Sequence, residues 1–599
     1  MTTPPRWDLT NVYPSLDSKK FDTSVRKVKK QIGELEVFFS KRIDKTTAKT
    51  PLKKLAGLAG EAIDRFNALS EQAGTINAYI YSFVSTDSRD KLAMKKLSEF
   101  EQVGVRIQNL NTRFLAWAGK LSPVMNKVIA ASPTAKAHAF MLKEAARQSK
   151  FIMSEAEETL AAELSLSGSI AWGKLQGTVT SQLTVDFELD GEVKKLPMPA
   201  LINLHSHPDE SVRRRAYEAE MKAWESVREP LAGAMNGVKG AVNTLNVRRG
   251  REDALHAAID QSRIDRPTLE AMLGAMKASF PMFRKYFKAK AKRIGKEQLD
   301  WWDVFAPSGD SRKTYTFPEA RDFILENFGR FSPDLRSFAK RAFDNNWIDA
   351  EQRDGKRGGA FCMGVPAVKE SRMLCNFDGT LDQVSTIAHE LGHAFHNGCA
   401  YAAGKTELQQ DTPMTLAETA SIMCETIVME AILAQTTDPA EQLVIIETRL
   451  IGDAQVIVDI YSRYLFEKEV FERRAESELS ADDLCEIMER AQKATYGDGL
   501  NEANLHKYMW TWKPHYYSDG RSFYNFPYAF GLLFAAGLYA IYVKRGADFV
   551  PDYKALLGST GEGTAADLAA RFGIDIRSRK FWEDSLAVIG QKIERYCEL

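Results

Sequence analysis

The chain has 599 residues, 44% hydrophobic and 27% charged, which excludes a disordered protein and leaves room for a large core spread over more than one domain. Basic and acidic residues balance at 80 each, so bulk charge gives no reason to expect nucleic acid or an anionic membrane as partner. Six cysteines in this length make no disulfide framework, and the opening residues lack a basic-then-apolar leader; both point to the reducing cytoplasm.

From the N-terminus the pattern is helical. Leu92–Phe114 and Ser211–Trp224 place apolar residues three and four apart between charges, and no fixed-period repeat is present. Leu183 to Leu189 then alternates apolar and polar positions, Asp190-Gly191 supplies a tight turn, and Glu192 to Leu196 completes a hairpin. Pro197 and Pro199 close that segment. They divide the chain into an N-terminal helical lobe over residues 1–200, with the hairpin near 183–196, and a second domain over 201–599. The densest basic run, Arg284 to Lys296, reads as a solvated helix face.

The stretch from Asp354 to Thr380 is irregular and carries Gly355, Gly358, Gly359, Gly364 and Gly379. Arg357 to Met363 is expected as a strand of little bulk, one that another backbone can approach closely. Near the C-terminal end, Tyr524 to Val543 has no charged residue and is about long enough to span a bilayer. Asn525, Pro527, the tyrosines and the glycines within it argue instead for a buried core helix, with no membrane partner.

Directly after the glycine-rich stretch comes Ile387-Ala-His-Glu-Leu-Gly-His-Ala-Phe-His396. On a helix, His389 and His393 lie one turn apart on one face, so both imidazoles reach one ion. Glu390 projects beside them, where it can take a proton from water without being a ligand. The apolar flanks bury this polar cluster, which is costly unless metal or pairing compensates. A catalytic zinc takes a third protein ligand. An extended histidine motif does not supply it, because the required glycine and histidine positions hold His396 and Cys399. A glutamate from a later helix does, and Glu418 in Thr415-Leu-Ala-Glu418 is the candidate, against a competing reading as a capping box. Glu425, two turns on, could hydrogen-bond a ligand histidine and set its tautomer. His396, on the face of His389, either supports a ligand in the same way or simply packs. Cys399 and Cys424 read as buried small hydrophobes.

His389-Glu-Leu-Gly-His-Ala-Phe-His396 with Thr415-Leu-Ala-Glu418 resembles the oligoendopeptidase F branch of the thimet-oligopeptidase family of zinc metallopeptidases. The resemblance extends to Trp7-Asp-Leu-Thr-Asn-Val-Tyr-Pro-Ser15, Gly355-Lys-Arg-Gly-Gly-Ala-Phe361 and Ser522-Phe-Tyr-Asn-Phe-Pro-Tyr528. It implies a mainly α, two-lobed helical fold enclosing a deep substrate channel, with a few short strands near the active site. It also implies one zinc ion per chain on His389, His393 and Glu418, with Glu390 as general base. Short peptides would be the substrates. A C-terminal histidine and tyrosines that approach the substrate fall on His515, Tyr524 and Tyr528; unaided, these read as a loop histidine and core aromatics. Phe526 stands where relatives often carry a further tyrosine. Gly358, Gly359, Ala360 and Phe361 are the candidate backbone for pairing with a peptide as an added strand. A carboxypeptidase or dipeptidyl carboxypeptidase on a related fold, and a catalytically silent peptide-binding protein, stay open at this point, as does the oligomeric state.

Overall fold

The structure, a computed structural model, describes residues 4–307, 309 and 313–599 and is mainly helical. The first three residues of the chain lie outside the described ones. The chain forms two compact units, each assembled from separated stretches. The first comprises Met1–Phe151, Lys313–Ile432 and Ile541–Ile574; the second comprises Ile152–Arg312, Leu433–Ala540 and Asp575–Leu599.

Strands are few. The hairpin consists of β1 (Thr184–Leu189) and β2 (Glu192–Pro197), with Leu189 facing Glu192. Asp190 and Gly191 both take positive φ, 55° and 78°, the turn geometry that matches the twist of two paired strands. The other sheet contains β3 (Ile348–Asp349), β4 (Phe361–Val365) and β5 (Glu370–Leu374) in the order β3-β5-β4. There β5 is parallel to β3 and antiparallel to β4.

In the first unit the long helix α1 (Leu52–Thr86) buries Leu55, Leu58, Phe66, Ile76, Tyr79 and Ile80 among Phe21, Ile32, Phe114 and Trp117. Strand β4 lies against α1 and against α3 (Leu381–Ala402). The opening Trp7–Ser15 segment is laced onto this sheet. Arg372 on β5, 1% exposed, donates from Nε to Asp8 O (2.8 Å) and from Nη2 to Asn11 Oδ1 (2.7 Å). The strand expected over Arg357–Met363 begins later, at Phe361, and runs to Val365. Gly355 and Gly359 sit at φ 82° and 81°, so the chain turns through the left-handed region there and cannot lie flat in a ladder.

In the second unit, α2 (Glu210–Arg248) and α5 (Ile460–Arg474) are joined by a buried ion pair. Lys239 Nζ lies 2.6 Å from Glu467 Oε1, and both side chains are fully enclosed. The basic run is only partly a solvated face: Lys290 is 0% exposed, donates to Val304 O at 3.0 Å and lies 3.5 Å from Glu447. Its long stem places the ammonium inside the fold, where a carbonyl and a carboxylate replace water. Helix α6 (Phe526–Arg545) buries Phe526, Phe530, Leu533, Phe534 and Leu538. Among the described residues one helical stretch, Phe526–Leu557, is long and apolar enough to cross a membrane, and 67% of its apolar window is buried, as in a core helix.

Candidate metal centre

Helix α3 starts where the sequence stops favouring a loop. Thr380 caps it, accepting from Gln383 N, and Val384, Ile387, Ala388, Leu391, Ala394 and Phe395 form its buried face. This packing leaves His389 and His393 side by side, half-buried, with ring centroids 5.0 Å apart. The second wall is α4 (Thr419–Gln435), preceded by the short helix Met414–Ala417. Glu418 occupies the break between the two, so its carboxylate is free to leave the helix axis. It turns to the histidines instead of closing a capping box. Its Oε2 lies 3.3 Å from His389 Nε2 and 3.4 Å from His393 Nε2, and it accepts from Ser421 Oγ at 2.6 Å. Burial opposes charge on Glu418, yet the bonds with His389 and His393 hold its carboxyl far below the usual carboxylate range.

The nitrogen, nitrogen and oxygen donors of His389, His393 and Glu418 lie within 4.8 Å of one another. Two imidazoles and one carboxylate make the donor set of a catalytic zinc, with a fourth position left open. Glu425 Oε2 lies 3.2 Å from His389 Nδ1. A carboxylate there can accept a hydrogen bond from Nδ1–H, the tautomer that would leave the Nε2 lone pair for an ion. Glu390 is 6% exposed, and its Oε2 is a buried atom with no hydrogen-bond partner among the described residues. Burial pushes its carboxyl above the ordinary value, against the pull of His393 and His389. An orphaned carboxylate oxygen beside the donor set keeps its acceptor capacity for a water. These residues fit a zinc ion.

Other candidates are placed elsewhere. His396 does not reach the metal group. Its Nε2 pairs with Thr560 Oγ1 at 2.9 Å, and burial together with His393 lowers its proton affinity to about 4. Neither hydrogen bond nor donor distance links it to a ligand, because the 553–560 region offers it a closer partner. The glycine-rich segment is a braced loop. Lys356 Nζ meets Asp349 Oδ1 at 2.7 Å and Cys375 O at 2.7 Å, while Asn376 Nδ2 donates to Arg357 O (3.1 Å) and Gly359 O (3.0 Å). Gly358 and Gly359 are exposed, Ala360 and Phe361 half-buried, and β4 is a sheet edge among the described residues.

In the second unit, His515 lies in the turn Pro514–Tyr517, buried, with Nε2 2.6 Å from Asn525 Nδ2. Tyr528 donates to the Tyr524 hydroxyl at 3.0 Å. A Cβ on Gly173 would meet Tyr517 O at 2.6 Å, so that glycine lets the 169–182 helix approach this turn.

Sequence reasoning passed over Gly392, the small residue inside the histidine motif. A Cβ there would stand 2.5 Å from Ala420 O and 2.6 Å from Ser421 Cα. Backbone meets backbone at that point, which is what brings Glu418 within reach of the histidines. A glycine tolerated in a buried helix despite its cost of about 1 kcal/mol was the available signal. Gly392→Ala is expected to force α3 and α4 apart, lowering stability by about 1–3 kcal/mol and weakening zinc binding. Thermal unfolding and zinc titration check this; a variant matching wild type in both would remove the close approach as the cause.

Residues 203–588 match the model of Peptidase family M3, and residues 123–184 match that of Oligopeptidase F. The chain is similar to oligopeptidase PepF of Bacillus subtilis, 22% identical over 99% of this chain and 87% of that one. It is also similar to an oligoendopeptidase F homolog of Lactococcus lactis, 22% identical over 99% and 97% of the two chains. In fold it is similar to a peptidase from Chlamydophila abortus, with TM-score 0.86 and 19% identity over 99% and 98% of the two chains. A further structure, oligoendopeptidase-F from Enterococcus faecium, gives TM-score 0.68 and 17% identity over 97% and 98%. With a donor triad on a helical scaffold and a family match over most of its length, this chain belongs to peptidase family M3, near the oligoendopeptidase F homologs, and is a metallo-oligopeptidase.

Proposed function

We propose that the protein is a zinc-dependent endopeptidase that hydrolyses internal bonds of short oligopeptides. The observation that carries this reading is the convergence of His389 Nε2, His393 Nε2 and Glu418 Oε2 beside the buried, unpartnered Oε2 of Glu390. His389, His393 and Glu418 would hold the ion, with Glu425 orienting His389. A bound zinc supplies Lewis acidity toward water and the scissile carbonyl. Glu390 takes a proton from the attacking water and returns it to the departing amine, so one carboxylate serves as base and then acid. His515, Tyr524 and Tyr528 are assigned by resemblance to the carbonyl oxygen on which negative charge develops, a role suited to N–H and O–H donors. Gly358, Gly359, Ala360 and Phe361 would align the peptide backbone as an added strand, giving affinity with little sequence preference.

The resemblance to the oligoendopeptidase F branch supports a deep internal channel that admits short unfolded peptides and excludes folded proteins. Six free cysteines support action in the cytoplasm. The test is cleavage of an internally quenched peptide blocked at both ends, with the cut located by mass spectrometry. Internal cleavage is the expected result. Trimming confined to an unblocked peptide would replace this reading by an exopeptidase, and no cleavage of either with zinc present would leave a binding protein.

A further inference from the structure

We propose that Asn525, oriented by Arg463, is a positioning residue that fixes His515 as a neutral imidazole with its proton on Nδ1, making Nδ1–H the one donor this ring offers to substrate. The substrate role of His515 rests on the reading above; the tautomer does not.

The argument is one of donors and acceptors. His515 Nε2 lies 2.6 Å from Asn525 Nδ2. An amide nitrogen has only protons to give, so the ring nitrogen facing it must present a lone pair. Turning the amide over would reverse that conclusion, and here Arg463 decides. Its Nη1 faces Asn525 Oδ1 at 3.5 Å, and all three side chains are buried. Guanidinium is donor-only. A reversed amide would set its NH₂ against the guanidinium N–H groups, donor against donor, with little water to relieve it. Arg463 cannot easily turn aside, because it is ion-paired with Asp459 one turn earlier.

The backbone under Asn525 is held as well. Phe523 adopts φ 54°, a left-handed conformation that a phenylalanine rarely takes. Its N–H donates to Glu467 Oε2 at 3.0 Å, while Glu467 Oε1 takes Lys239 Nζ at 2.6 Å. The buried pair thus pins the chain just before Tyr524 and Asn525.

The charges around the ring agree with a neutral state. Burial, then Arg463, Lys239, Lys513 and Arg521, lower the proton affinity of His515 to about 2. Asp459 and Glu467, the carboxylates of the neighbouring helix, are already engaged by Arg463 and Lys239. Tyr516 and Tyr524 flank the ring, with centroids 4.3 Å and 5.8 Å away. His515 therefore acts as a polarising donor and not as a proton shuttle, which leaves proton transfer to Glu390.

The test uses zinc-loaded protein with ¹⁵N,¹³C-labelled histidine; His515→Gln identifies the signal among the nine histidines. In wild type, His515 is expected to show a protonated Nδ1 and an unprotonated Nε2, with no titration between about pH 5.5 and 9. In Asn525→Asp the new carboxylate accepts, the proton moves to Nε2, and the ring titrates inside that window. There kcat falls on the order of 10²-fold and the pH–rate profile gains a limb, with KM little changed. A wild-type ring protonated on Nε2, or titrating in that range, overturns the proposal without recourse to any variant. So does an Asn525→Asp protein whose His515 signals and pH profile match wild type. Full activity in His515→Ala with the wild-type spectra as expected would remove His515 from the chemistry while leaving its tautomer assigned.

Discussion

Glu390→Gln is expected to lower kcat/KM on an end-blocked peptide by about 10³-fold or more while zinc content stays near that of wild type. General-base assistance contributes typically about 10²–10⁴-fold, and a residue that serves as base and acid in turn sits toward the upper end. Glutamine matches glutamate in shape, so a side chain only 6% exposed is replaced with little repacking. The amide cannot take a proton. A neutral amide also costs less to bury than a charged carboxylate, and burial already pushes the Glu390 carboxyl up, so stability should hold or rise slightly. Steady-state kinetics with metal analysis of the same preparation check both halves. Activity within tenfold of wild type would show that another group removes the proton.

His393→Ala is expected to abolish turnover by a different route, through loss of the ion. Removing one of three donors leaves His389 and Glu418 alone to hold it, and zinc affinity should fall by more than about 100-fold, beyond what the loss of an outer hydrogen-bond partner costs. Glu425→Gln provides the graded comparison. It removes only the acceptor at His389 Nδ1 and should weaken zinc binding about 10–100-fold, with activity recovered at high zinc concentration. Metal content after dialysis against a weak chelator reads the two apart. Stoichiometric zinc in dialysed His393→Ala would overturn the ligand assignment.

Parts of this architecture were legible before any coordinates. The helix carrying His389 and His393 followed from the spacing of its apolar residues, and the hairpin from Asp190-Gly191 between alternating strands. The core character of α6 followed from its aromatic and glycine content. The glycine-rich segment was legible as irregular, but its strand was placed too early. Gly358 and Gly359 suit both a close-approach strand and a turn, and composition does not separate them. The sign of φ at Gly359 does.

His396 shows the limit of helical spacing. Seven residues after His389 it shares that face nominally, yet its ring bonds Thr560, because which partner a side chain meets depends on what packs beside it. Glu418 had two readings that spacing left open, a cap or a ligand. The break between helices 414–417 and α4 sends its carboxylate toward the histidines.

What the sequence determined by itself is therefore local: helix, turn and strand type, and which residues share a face. These depend on backbone geometry over a few residues. What only the tertiary structure decided is the meeting of distant elements. The Gly392 contact closes α3 on α4, Arg463 chooses the orientation of Asn525, and Glu467 holds the left-handed Phe523. Such junctions depend on volumes and donor–acceptor matching between side chains far apart in the chain. No periodicity encodes them, because neither partner carries a local signal of the other.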